Sequence, residues 1–231
     1  IEIPVINHFA TQGASGGVVG IINPDFVREI SFYTGAFPAN RPNTLSSVME
    51  IKQRDGDTDR MHVKASVGAS DAALTIEGAL SEKSSFIASA RQSYLQWLFK
   101  AIKLPFLPTY NDFQLKYKHR FNAHNELTIL GIGAIDDMSL NTKLQSTGSE
   151  VQRYILSYLP RYKQWNYTVG AVYKHYGAEH TDSWVLSRNM LRNSSVKHQS
   201  NDPTLPKLSE YQSDETESKL RYERMYTTLP F

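Results

Sequence analysis

From residue 56 onward, apolar and polar residues alternate in a series of stretches, and this period predicts antiparallel β-strands with two different faces. The clearest stretch is 113–121, which has one face of Gln114, Lys116, Lys118 and Arg120 and another of Phe113, Leu115 and Tyr117. The other stretches with this pattern are 61–67, 74–80, 86–94, 127–135, 167–176, 184–191 and 220–228. Stretch 127–135 is the exception within the series, because it is apolar on both faces.

The connections between these stretches alternate in length. The short ones are 81–84, 122–126 and 177–180, and the long ones are 96–111, 139–165 and 194–219. Transmembrane β-barrels have this asymmetry because their periplasmic turns are tight and their external loops carry function. A Greek-key sandwich can imitate the same spacing. The spacing therefore favours a barrel over a sandwich.

The long connections contain local structure of their own. Residues 94–102 place apolar side chains at helical spacing before Pro105, and Ser149 opens a similar segment that ends before Pro160. We expect two short helices, which either line a ligand vestibule or pack on neighbouring loops. The polar and acidic segment 201–218 is predicted to be a mobile external loop.

The region before Asp55 has a different character. Residues 28–33 and 47–51 alternate as strands do, and the segment between them is dense in proline and asparagine, which favour turns. We therefore predict a two-stranded unit with a stiff loop, separate from the strands that follow. Loop 11–17 is rich in small residues but lacks the lysine and the following helix of a phosphate-binding loop.

Composition and motifs exclude several classes of protein. The 231 residues are 40% hydrophobic, and no apolar run approaches the ~18 residues of a membrane-spanning helix. A net charge of +2 gives no electrostatic case for nucleic-acid binding, and the lack of cysteine excludes disulfides and thiol chemistry. Asp136 and Asp137 are neighbours in a strand, so their side chains point to opposite faces and do not converge on a metal. We expect no enzyme, no cofactor and no metal site.

Residues 30–35 read ISFYTG, which has the form (I/V)-x-(V/F)-x-x-G, and they are followed by a turn-rich loop and the strand-like residues 45–51. This arrangement resembles the end of the plug domain in TonB-dependent outer-membrane receptors, especially those of the Bacteroidetes branch. The resemblance is carried by residues 16–56 and is supported by the strands that follow.

The resemblance implies a mostly β fold, with residues 1–54 as the C-terminal part of a plug domain. Residues 55–231 would then be about eight antiparallel strands of a large transmembrane β-barrel. Such barrels have about 22 strands, so the chain is expected to be a fragment. The implied function is energised import of a scarce nutrient (a siderophore, haem, vitamin, glycan or peptide) across the bacterial outer membrane. The implied partners are the TonB complex, through an N-terminal segment that this chain lacks, the nutrient, outer-membrane lipid and a surface lipoprotein.

The resemblance also implies an apical loop that faces the ligand, with Asn7, His8, Phe9, Thr11 and Gln12 as ligand-binding residues. A lone histidine beside a phenylalanine is more often structural than a ligand, so both interpretations of His8 stay open.

A plug–barrel contact is expected between Arg41, which two prolines hold in a stiff loop, and Glu77 on the polar face of an early strand. The alternative for Arg41 is a solvated surface charge. In a barrel, the face with Lys116 would point into the lumen and the face with Leu115 toward lipid. The alternative to the receptor as a whole is a soluble β-sandwich or small barrel that binds carbohydrate or protein.

Overall fold

The computed structural model describes residues 1–10, 17, 19–35, 37 and 47–226. Its strands are β1 (Val27–Tyr33), β2 (Val48–Gln53), β3 (His62–Val67), β4 (Asp71–Ser81), β5 (Ser84–Ser93), β6 (Phe106–Asn122), β7 (Asn125–Leu140), β8 (Arg161–Tyr176), β9 (His180–His198) and β10 (Lys207–Tyr226). Its helices are α1 (Leu95–Ala101), α2 (Leu144–Thr147) and α3 (Glu150–Tyr158), with 3₁₀ turns at Pro24–Phe26 and Gln199–Asn201. The protein is mostly β, as predicted.

The strands form two sheets. An eight-stranded antiparallel sheet contains β3 to β10 in sequence order, so each strand pairs with the next one along the chain and β3 and β10 lie at its edges. β1 and β2 form a separate antiparallel pair. As predicted, the two upstream strands pair with each other and not with the later strands.

After the short first connection, residues 68–70, the connections of the large sheet alternate in length as predicted. Residues 82–83, 123–124 and 177–179 make tight turns at one end, whereas residues 94–105, 141–160 and 199–206 form longer connections at the other. The predicted external loop 201–218 is wrong for most of its length, because β10 begins at Lys207 and pairs with β9. This part of β10 is polar on both faces and has no alternation, so its strand structure depends on the hydrogen bonds to β9.

The two faces of the large sheet differ in polarity and in exposure. The polar face carries Gln114 and Lys116, which are 3% and 9% exposed, and the apolar face carries Phe113 and Leu115, which are 51% and 41% exposed. Register extends the faces across the sheet, since directly paired residues point to the same side. Residues 1–10 and 19–26, here called the N-terminal segment, cover polar side chains such as Gln114. Lys116 is covered by residues 53–55, since its Nζ donates to Gln53 O at 2.8 Å and pairs with Asp55 at 2.7 Å.

The N-terminal segment explains why β7 is apolar on both faces. On the polar face of β7, Ile132 and Ala134 form a core cluster with Ile21 of the N-terminal segment. Further apolar side chains of the segment pack on the cluster, namely Ile3, Val5 and Ile22. β7 is apolar on both sides because one side meets the segment.

Both predicted helices are present in the long connections. Ser149 caps α3 through a reciprocal pair with Gln152, which satisfies two N-terminal amides of the helix. Leu156 of α3 is buried with Leu140 and Leu144, whereas Tyr154 remains 64% exposed. Among the described residues, no helix has the length and apolar character needed to cross a membrane.

Candidate functional site

The N-terminal segment crosses the polar face from one edge of the large sheet to the other. Near one edge, Glu2 accepts a hydrogen bond from Lys219 of β10. Near the other edge, Asp25 pairs with Lys64 of β3 at 2.5 Å and accepts from Thr75 Oγ1 of β4 at 3.2 Å. Asn23 lies between these points, and its amide N–H donates to Gln114 Oε1 at 3.0 Å. The N-terminal segment therefore packs on the polar face of the large sheet.

The middle of the N-terminal segment folds back on itself and places a turn against the polar face. Ile21 N–H donates to Ile6 O at 2.8 Å, and His8 N–H donates to Val19 O at 2.9 Å. A bridge between Asn7 and Gly20 completes this short antiparallel ladder. The ladder directs residues 8–10 onto β6, β7 and β8.

His8 is the centre of a buried cluster of charges. Its side chain is 0% exposed, its Nδ1 lies 2.6 Å from Asp136 Oδ1, and its Nε2 lies 3.1 Å from Asp112 Oδ2. Arg91 Nε donates to Asp112 Oδ2 at 2.7 Å, and the Tyr110 ring stacks on the imidazole at 4.2 Å. We call His8, Arg91, Tyr110, Asp112 and Asp136 the His8 cluster.

The geometry of the His8 cluster requires a protonated imidazole. A carboxylate only accepts, so both ring nitrogens must donate, and only the imidazolium has two N–H groups. Burial by itself would lower the pKa of His8. The hydrogen bonds that His8 donates to Asp112 and Asp136, and the charges of these carboxylates, outweigh burial and raise the pKa above its ordinary value. With Arg91, the cluster then contains two cations and two anions, which balances the buried charge.

The residues after His8 are held by the same part of the sheet. Phe9 N–H donates to Asp136 Oδ2 at 2.8 Å, and Phe9 adopts a φ of 54°, which is unusual for a bulky side chain. Ala10 N–H donates to Gln164 Oε1 at 3.1 Å, and Gln164 Nε2 donates back to Ala10 O at 2.6 Å. Contacts on both sides of Phe9 therefore hold its left-handed backbone in place.

A second attachment lies where the chain enters the large sheet. Asp55 pairs through Oδ1 with Lys116 Nζ at 2.7 Å and through Oδ2 with Lys118 Nζ at 3.0 Å. Burial would raise the pKa of Asp55, but the hydrogen bonds and charges of the two lysines outweigh it and hold the pKa below its usual range. A Cβ on Gly56 would lie 2.0 Å from Phe86 O, so only glycine fits this close approach to β5. We call Asp55, Gly56, Lys116 and Lys118 the Asp55 junction.

The predicted contact residue Glu77 is paired with an arginine just before this junction. Both Arg54 Nη atoms donate to the Glu77 carboxylate, one of them at 2.9 Å, and Arg54 Nε donates to Asp25 O at 2.5 Å. Arg41, the predicted partner of Glu77, lies outside the described residues, so that pair stays a prediction. The sequence analysis did not identify Arg54 as the partner of Glu77.

The predicted ligand-binding residues are only partly within the described structure. Asn7, His8 and Phe9 lie in the turn on the polar face, whereas Thr11 and Gln12 lie outside the described residues. The contacts of His8 and Phe9 are with the sheet, and ligand binding by this turn stays a prediction. In the described part of the chain, no group of three His, Asp or Glu side chains is arranged to hold a metal ion.

Several residues of the site were missed from sequence. Asp112 continues the polar alternation of β6 two positions before Gln114, and extending that pattern would have found it. The opposite directions of Asp136 and Asp137 are confirmed, since Asp136 contacts His8 whereas Asp137 pairs with Lys163 at 3.5 Å. Gln164 gave no signal, because the sequence placed it in the long connection 139–165, whereas β8 begins at Arg161.

The apolar face carries aromatic side chains at two levels. Near the tight turns, the Trp184 ring contacts Tyr173 at 5.6 Å and Tyr222 at 5.3 Å. Nearer the long connections, Trp165 contacts Tyr167 at 5.8 Å. Trp165 and Tyr173 are eight positions apart in β8, which at the rise of a strand is about 26 Å before any tilt.

Between these levels the apolar face is small or aliphatic apart from Arg188, which lies beside Val169 and donates from Nη1 to Ser218 Oγ at 3.0 Å. Val169 is 45% exposed and Leu186 is 58% exposed.

Comparison with protein-family models, curated proteins and solved structures finds no match for this chain.

Proposed function

We propose that the protein is part of a TonB-dependent receptor, which imports a scarce nutrient across the bacterial outer membrane. The proposal rests on one observation, which is that the exposure of the two faces of the large sheet is the reverse of that in a water-soluble protein. Its apolar face is exposed, whereas its polar face is buried beneath the N-terminal segment. A water-soluble sheet buries its apolar side instead.

Lipid is the environment that suits this apolar face. Transmembrane barrels have an outward apolar band about 25 Å tall, flanked by aromatic girdles at both interfaces. The two aromatic levels and the mostly aliphatic residues between them resemble such a band, from which Arg188 departs. An apolar surface of this extent on a protein in water would be a site for association.

The polar face suits the lumen of a barrel filled by a plug. In this proposal residues 1–54 belong to the plug and residues 55–231 to the barrel, with Arg54 and the Asp55 junction where one passes into the other. A large plugged barrel has about 22 strands, and the edges at β3 and β10 are the places where further strands would pair.

The asymmetry of the connections gives the proposal an orientation. The tight turns lie on the periplasmic side, and the connections with α1 and α3 lie outside, where the nutrient and a surface lipoprotein are met. In this orientation the TonB complex acts on the plug from the periplasmic side.

Adjacent residues of β9 test the proposal, since Leu186 lies on the apolar face and Ser187 on the polar face. A fluorophore attached to Leu186→Cys in the protein reconstituted in vesicles should be quenched by nitroxide-labelled lipid. The same fluorophore on Ser187→Cys is the matched control and should be protected from that quencher. Equal quenching at the two positions, or a protein that stays monodisperse without detergent, would instead support the soluble module that binds carbohydrate or protein.

A further inference from the structure

The His8 cluster contains more charge than is needed to fix a turn. Gln164 holds Ala10, two positions after His8, with two neutral hydrogen bonds. His8, by contrast, spans carboxylates of two adjacent strands, Asp112 of β6 and Asp136 of β7. A neutral imidazole cannot make this bridge, because it has only one N–H.

We propose that the His8 cluster is a proton-operated clamp, closed on the polar face when His8 carries two ring protons and opened when one is lost. The clamp holds residues 7–10 of the N-terminal segment. This inference concerns the attachment of the segment and holds whether or not the protein is a receptor.

Loss of one proton breaks the bridge for a simple reason. A neutral imidazole keeps one N–H, so its other nitrogen presents a lone pair to a carboxylate oxygen. That carboxylate would remain buried and charged against an acceptor, which is unfavourable away from solvent. The same change removes the positive charge that balances Asp136.

The other groups that face His8 do not replace this charge. Arg91 of β5 already donates to Asp112 and, through Nη2, to Gly20 O of the segment. Tyr110 of β6 donates its hydroxyl to Asp71 of β4 at 2.6 Å, away from the imidazole. Arginine does not titrate in the accessible range, so His8 is the group whose proton decides the state of the clamp.

The direction of the switch follows from the hydrogen bonds of the clamp. Because two carboxylates favour the charged form, the clamp is closed below the raised pKa of His8 and opens as the pH rises above it. Phe9 reports this opening directly, since its N–H donates to Asp136 Oδ2.

Hydrogen exchange of the peptide containing Phe9, in the intact protein in micelles, tests the clamp. After correction for the intrinsic pH dependence of exchange, protection of Phe9 should be constant below the pKa of His8. Above it, protection should fall about tenfold per pH unit, as expected for the loss of one proton. In His8→Gln, protection should be lower at neutral pH and independent of pH.

Adjacent carboxylates supply a matched pair of variants. Asp136→Asn should lower the pKa of His8 and weaken the protection of Phe9, whereas Asp137→Asn on the apolar face should change neither. The titration of the His8 ring by nuclear magnetic resonance, in the unmodified protein, gives a reading that needs no variant to fold. A His8 that titrates at or below about 6.5, or a protection of Phe9 that is independent of pH in the unmodified protein, would overturn the clamp.

Discussion

The His8 cluster and the Asp55 junction both attach covering chain to the polar face through charges, yet they differ in burial and in titration. Asp136 in the His8 cluster is fully buried, whereas the Asp55 side chain is 43% exposed. The His8 cluster depends on a histidine, which titrates near neutrality, and the Asp55 junction depends on lysines and a carboxylate, which do not. Near neutral pH the first attachment therefore depends on pH, whereas the second does not.

The largest effect is expected from His8→Ala, which leaves Asp112 and Asp136 buried without their shared partner. Breaking a buried charge pair on one side costs about 3–5 kcal/mol, so the N-terminal segment should become accessible to protease at neutral pH. His62→Ala is the control, since His62 pairs with Asp57 at the surface. Equal protease sensitivity of the two variants would mean that the His8 cluster adds no special stability.

Gly56→Ala should be next in size. The added Cβ would lie 2.0 Å from Phe86 O, which forces the backbone to move, and overpacking of this kind costs about 1–3 kcal/mol. Gly35→Ala is the matched control, because a Cβ at Gly35 has nothing within 4 Å. The measurement is the denaturant midpoint of each protein, and the comparison fails if both alanines shift it equally.

The two attachments should also respond to pH in opposite directions. The pKa of His8 is raised on folding, so its contribution is complete below about 6.5 and is lost as the pH rises through the pKa of the folded state. The pKa of Asp55 is lowered on folding, so its contribution is complete above about 3.9 and is lost as the pH falls through the lower pKa of the folded state. Protease accessibility of the segment, followed from acidic to alkaline pH, measures both. Loss of protection at His8 in acid would reverse the assignment.

The smallest effect is expected from Asp55→Asn. Ion pairs of partly exposed groups contribute about 0–1 kcal/mol and are screened by salt, so the variant should differ little from the parent and least at high salt. The His8 cluster is shielded from solvent ions, and its effect should persist at high salt. A salt dependence as large for His8→Ala as for Asp55→Asn would remove the distinction between the two attachments.

The sequence by itself determined the local features of this protein. Alternation in 113–121 identified β6 and its two faces, and the spacing of turns identified the order of the strands. Ser149 and the apolar spacing after it identified α3. Each of these depends on the geometry of a few neighbouring residues, which is a period of two in a strand or an unsatisfied amide at a helix start.

Only the tertiary structure decided which distant groups meet. His8 lies 104 positions from Asp112 and 128 positions from Asp136 in the chain, and no local pattern connects them. The first half of β10 is a strand because β9 supplies its hydrogen bonds, and Ile132 is apolar because Ile21 covers it. In each case the environment of a residue is made by chain that is remote in sequence, and burial and pairing then fix a role that its own neighbours do not encode.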